Sequence, residues 1–127
     1  MARSPNVLLT DREVQLMGIL WDQGPLTAEA VRNALPDAPH DSTVRTLLRI
    51  LVKKGYVRIR GRQPAIYEPV VARGRAQSKA TQSLLTRFFG GSVEELVERL
   101  VEDEKLTPDQ FEQLRRTLMQ RKRKGGR

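Results

Sequence analysis

The chain has 127 residues, enough for one domain or two small ones. It has no cysteine and a single histidine, His40, which excludes disulfides, thiolate chemistry and cysteine- or histidine-based metal centres. Twenty-three lysines and arginines oppose fifteen acidic residues, and the formal charge of +8 favours a polyanionic partner without choosing DNA, RNA or an anionic surface.

Met1–Asn6 has no apolar core of a signal peptide, and no run approaches 18 apolar residues, so a cytoplasmic protein without membrane insertion is expected. Thr10 and Glu13 have the spacing of a capping box and start a first helix. Val14, Met17, Leu20 and Trp21 recur at helical spacing behind it, and Gly24-Pro25 ends it. A short second helix is predicted from about Thr27, with Val31, Ala34 and Leu35 inward, stopping before Pro36. Pro36–Pro39 is a turn. Asp41 or Ser42 is expected to cap a third helix, which Gly55 closes.

That third helix carries the argument. At about 100° per residue, Val44, Leu47, Leu48, Leu51 and Val52 form one apolar stripe. The other face holds Ser42, Thr43, Arg45, Thr46, Arg49 and Lys53, all polar and none acidic. After Gly55 the period changes to two. Val57 and Ile59 fall on one side and Arg58 and Arg60 on the other, Gly61–Pro64 is turn composition, and Ala65–Glu68 is a returning strand closed by Pro69. Helix, helix, helix, basic hairpin is the winged-helix order.

The rest is predicted helical. One helix runs from about Gly74 to Phe89 with Leu84, Leu85, Phe88 and Phe89 apolar, and Gly90-Gly91 breaks it. Ser92/Glu95 begins the next, with Val93, Leu96, Val97, Leu100 and Val101. Thr107/Gln110, with Pro108 at the first helical position, begins the last, with Phe111, Leu114 and Leu118. The tail from Arg121 is basic, with fraying expected. The fold class is thus mainly α with a small β-hairpin. Residues 1–71 are expected to form a winged helix-turn-helix domain, and 72–127 a helical dimerisation domain with a basic tail.

Charge is segregated along the chain. Arg45 to Arg62 holds seven basic residues and no acidic one, while acidic residues gather at Glu94–Glu112. Unopposed stretches of this kind are what a phosphate footprint requires. The second helix of such a pair lies in the major groove, where arginine bonds bidentately to guanine and threonine meets base edges or a thymine methyl. A solvated helix face explains the same residues taken alone, and its place before a basic hairpin favours DNA. Arg58, Arg60 and Arg62 suit a wing along phosphates, and equally an edge strand guarded by charge. Trp21 and Tyr67 are assigned to packing, and Glu102-Asp103-Glu104 to a solvated helix end. Three amphipathic C-terminal helices cannot bury their stripes on so small a domain. Leu84, Leu85, Phe88, Phe89, Val93, Leu96, Val97, Leu100, Val101, Phe111, Leu114 and Leu118 are therefore placed at a homodimer interface.

The stretch Leu9-Thr10-Asp11-Arg12-Glu13, Met17, Leu20-Trp21, Gly24–Thr27 and Val31 resembles the start of the penicillinase-repressor family. The likeness continues through Ser42–Arg49 and Lys53–Val57, resumes at Phe89–Gly91 and Leu106-Thr107, and covers about residues 8–120. The resemblance implies a dimeric repressor. In antibiotic-responsive members a membrane sensor protease system leads to cleavage at an Asn-Phe bond in the dimerisation domain. This sequence departs there with Arg99-Leu100, the corresponding cleavage candidate. Copper-responsive relatives use a cysteine-rich site that this chain lacks.

The expected function is sequence-specific transcriptional repression by a homodimer on a palindromic double-stranded operator. A non-sequence-specific architectural DNA-binding protein is the alternative, and a winged helix reused for protein contact the third. No nucleophile–base pair or metal cluster is visible, so neither an enzyme nor a cofactor is expected.

Overall fold

The computed structural model describes residues 8–124, the side chain of Lys124 excepted. Segment 1–7, searched above for a signal peptide, and the last three residues of the basic tail lie outside the described residues. The elements in order are α1 (Asp11–Gln23), α2 (Ala28–Ala34), α3 (Asp41–Lys53), β1 (Val57–Arg60), β2 (Ile66–Pro69), α4 (Arg73–Phe89), α5 (Val93–Glu102) and α6 (Pro108–Lys124). Two compact units divide between Thr81 and Gln82, inside α4.

The first unit is a winged helix. The capping box on α1 is complete: Glu13 N donates to Thr10 Oγ1 at 3.2 Å, and Thr10 N donates to Glu13 Oε1 at 2.9 Å. Thr27 caps α2 through the amide of Ala30. The expectation for α3 is corrected. His40 occupies the N-cap without a side-chain bond, and Asp41 and Ser42 already lie within the helix. The helix closes as read. Tyr56 N donates to Leu51 O and Gly55 N to Val52 O, with Gly55 at φ +87°. This is the Schellman pattern, and it turns Tyr56 into the core.

The core gathers Leu16, Met17, Leu20, Val31, Val44, Leu48 and Leu51, all fully buried. The stripe read for α1 holds at Met17, Leu20 and Trp21 and fails at Val14. Val14 is 48% exposed, while the carboxylate of Glu13 is buried. Glu13 takes the inward place of the first turn, so the buried arc runs Glu13, Leu16, Met17, Leu20 and leaves Val14 beside it.

The hairpin pairs antiparallel in the register Val57↔Pro69, Arg58↔Glu68, Ile59↔Tyr67, Arg60↔Ile66. The return strand thus lies one residue later than expected. Val57 is buried on the core side, but Ile59, nearer the tip, has left the core and is exposed. A bridge absent from the sequence reading anchors the base: Leu26 N donates to Tyr67 O at 3.0 Å, and Tyr67 N to Leu26 O at 2.7 Å.

Lys54, the residue capping α3, donates from Nζ to Glu13 Oε1 at 2.7 Å and to Leu8 O at 3.2 Å. Burial pushes the Glu13 carboxyl up. The bonds from Lys54 and Thr10 outweigh it and hold the group below the usual carboxylate range. Arg12 forms a two-bond ion pair with Asp37, tying α1 to the turn between α2 and α3.

The second unit comprises the rest of α4, α5 and α6, and none of its described residues is buried. Ser92 caps α5 by accepting from Glu95 N. Thr107 and Gln110 form a complete box before α6. Instead of fraying at Arg121, α6 continues through Lys124, with no proline or glycine before Gly125 to stop it.

Because Glu13 is held low in the folded chain, its contribution is complete above the ordinary carboxylate range and is lost as pH falls through the depressed value. Glu13→Gln should lower stability to urea at pH 7 by about 2 kcal/mol, the worth of hydrogen bonds to a charged group. The gap to wild type should close as the pH is taken below that range. A gap independent of pH would assign the loss to packing.

Replacing Gly55 with Ala should cost about 1–2 kcal/mol, the penalty of a left-handed backbone for an L side chain. Thermal denaturation reads this directly, and no loss would mean that the helix end had rebuilt.

Candidate nucleic-acid interface

The elements of the first unit give α3 two unlike sides. Val44, Leu48 and Leu51 hold it against the core, with Leu47 and Val52 half-buried along the edges. Ser42, Thr43, Arg45, Thr46, Arg49 and Lys53 are all exposed. The face expected from periodicity is therefore present, on the second helix of the α2–α3 pair.

Its cations differ in their surroundings. Arg45 Nε donates to Asp41 Oδ2 at 2.7 Å, one helical turn back, and this hydrogen bond raises the already high pKa of the guanidinium. The terminal nitrogens of Arg45 remain available as a two-donor fork. Arg49 and Lys53 form no ion pair among the described residues. Sequence reading missed Asp41 as the partner of Arg45. The (i, i+4) spacing was the available signal.

The hairpin is less purely basic than its strand β1. Glu68 stands opposite Arg58 in the register, and its carboxylate is 14% exposed. Arg58 donates to Glu68 Oε2 from Nη2 at 2.8 Å and from Nε at 3.1 Å. Arg60 Nε lies 3.4 Å from Oε1, and that oxygen accepts no hydrogen bond. Two wing arginines thus share one carboxylate, while Arg62, at the turn, forms no ion pair among the described residues. Cross-strand pairing brings this acid in from ten residues away.

The candidate interface residues of the second unit are open. Phe88 is 70% exposed, Leu118 65% and Leu114 57%, and Leu84, Val93, Val101 and Phe111 are also exposed. Leu85, Phe89, Leu96, Val97 and Leu100 are half-buried. Met119, exposed on α6, was missed by the sequence reading. Arg99 and Leu100 sit within α5, where Arg99 pairs with Glu102 at 3.8 Å and Asp103 at 3.5 Å. Among the described residues, no helix is long and apolar enough to cross a membrane.

A helix pair with an exposed cationic second helix, followed by a basic hairpin, defines a winged helix-turn-helix transcription regulator. The chain belongs to the penicillinase repressor family, whose model matches residues 9–120. It is 26% identical over 113 residues to the methicillin resistance regulatory protein MecI of Staphylococcus aureus, covering 87% of this chain and 92% of that one. It is 23% identical over 117 residues to the penicillinase repressor of Bacillus licheniformis, covering 90% and 91%. Its fold resembles a solved chain of the hsRosR-S4 complex with a TM-score of 0.52 at 20% identity, over 83% of this chain and 96% of that one.

Glu68→Gln should free Arg58 and Arg60. The salt dependence of binding to random duplex DNA, read by fluorescence anisotropy, should then steepen by up to about 0.9 in log–log slope for each arginine that gains a phosphate. An unchanged slope would place the hairpin off the DNA.

Proposed function

We propose that the protein is a sequence-specific DNA-binding transcriptional repressor acting as a homodimer on a palindromic operator. The observation that carries this reading is the exposed face of α3, with Arg45, Thr46 and Arg49 on a helix whose other side is locked in the core. Arg45 and Arg49 are assigned to base edges, Thr46 to a base edge or a thymine methyl, and Ser42, Thr43 and Lys53 to the flanking contacts of the same helix. Arg58, Arg60 and Arg62 are assigned to phosphates. Family membership supports the repressor reading.

The homodimer reading rests on a second unit in which no described side chain is buried. Helices of this length gain their stability from tertiary burial of an apolar face. The faces of α4, α5 and α6 are therefore assigned to a second copy, and two-fold symmetry then asks for a palindrome. Release by a membrane sensor protease system through cleavage at Arg99-Leu100 comes from the family resemblance. It requires α5 to open locally, since both residues lie inside the helix. A shortened product on immunoblots of induced cells supports this route, and derepression with a full-length chain rejects it.

Selection from a random duplex library should yield an inverted repeat. Arg45→Ala or Arg49→Ala should then cost roughly 1–3 kcal/mol on the selected duplex and little on a scrambled one. Equal losses on both would favour the architectural alternative. Leu114→Asp should convert the protein to a monomer in sedimentation, and operator affinity should fall with it because the linked second half-site is lost. A dimer that survives both this change and Phe88→Asp would place the interface elsewhere.

A further inference from the structure

In the first unit, Leu8 and Val14 are large apolar side chains left 41% and 48% exposed. They help line a pocket of about 170 Å³ together with Trp21, Tyr56, Ala76 and Ala80. The remaining polar lining comes from Gln77 and Lys79, side by side with the alanines on α4. The hollow opens to solvent beside Leu8 and Val14, and its concave, mostly apolar lining is the character of a small-molecule site.

One wall is fixed before anything binds. Trp21 Nε1 donates to Val71 O at 2.8 Å, and the guanidinium carbon of Arg73 lies 5.4 Å from the ring centre. Arg73 is held in turn by Asp22 at 2.7 Å. The indole is thereby held in place where it lines the pocket. Charge points to the occupant's polar end. No acidic residue lies between Pro69 and Val93, and Lys79 forms no ion pair among the described residues. Size limits the rest, since an apolar cavity on the order of 150 Å³ takes a single benzene-sized ring.

We propose that this pocket binds a small amphipathic carboxylate, with a single ring against Trp21 and Val14 and its carboxylate on Lys79. The inference is independent of the DNA-binding reading. It adds a ligand-sensing site where α1, Tyr56 in the turn after α3, and the first turns of α4 meet. A bound ligand stabilises that junction by mass action.

Trp21 is the only tryptophan and reports directly on the site. The probes are 3-phenylpropionate, the neutral 3-phenylpropanol and the cationic 3-phenylpropylamine, titrated against the full chain by tryptophan fluorescence. The acid should give a saturable change and bind at least about threefold more tightly than the alcohol, the yield of a partly exposed ion pair. The amine should bind most weakly. Lys79→Gln should erase the difference between acid and alcohol. Ala80→Phe, on an exposed helical position, should abolish binding of all three while the melting curve shows a folded protein. No saturable change with any probe overturns the proposal, as does equal binding of acid and alcohol to wild type. Binding untouched by Ala80→Phe overturns it too. If wild type ignores every probe and Val14→Asp turns the protein monomeric in sedimentation, a second copy covers the pocket and the ligand site is wrong.

Discussion

One oxygen atom of a buried side chain, Glu13 Oε1, receives Lys54 Nζ and the amide of Thr10. Through it the start of α1 and the end of α3 are fixed to each other. Lys54 caps the helix that carries the cationic face, and Gly55 and Tyr56, immediately after it, turn the chain into the hairpin. A buried carboxylate without a partner would be costly, so the arrangement tolerates little slack. The contact braces the end of α3, which Val44, Leu48 and Leu51 hold on the core, at the point where the wing departs.

Charge on the outer surface is organised differently. The Glu13–Lys54 contact is short and largely buried, whereas the cations of α3 and the hairpin are open to water and partly held by acids within a few ångströms. Asp41 orients Arg45, and Glu68 gathers Arg58 and Arg60. Such pairs contribute little to stability in water. Their effect is on which way a guanidinium points and how much free positive charge the surface presents to a phosphate.

Most of what is local in this fold could be read from the sequence. The Thr10/Glu13 and Thr107/Gln110 boxes, the stripe on α3 and the closing Gly55 depend on neighbours within a few residues. The exposed cationic face of α3 was legible for the same reason: a helix face is a matter of spacing. What escaped were contacts made across the chain. Lys54 meets Glu13 over 41 residues, and Leu26 meets Tyr67 with no periodic signal between them. Val14 was misplaced because a polar residue took the inward position that hydrophobic periodicity assigns to an apolar one. The pocket beside it had no sequence signature, since its walls come from three separate elements.

The Leu26–Tyr67 bridge divides the hairpin into a fixed root and a free tip. At the root, β2 is bonded on both sides, to β1 and to Leu26, and Tyr67 is sunk in the core. Beyond Arg60 and Ile66 no such brace exists. Amide exchange at Leu26 and Tyr67 therefore belongs to the slowest class, released only when the whole unit opens, while the turn at Gly61–Pro64 exchanges by local fluctuation. A hairpin rooted in this way keeps its heading while its last few residues remain free to move, and any ordering of the tip costs conformational entropy on a handful of residues instead of on the whole arm.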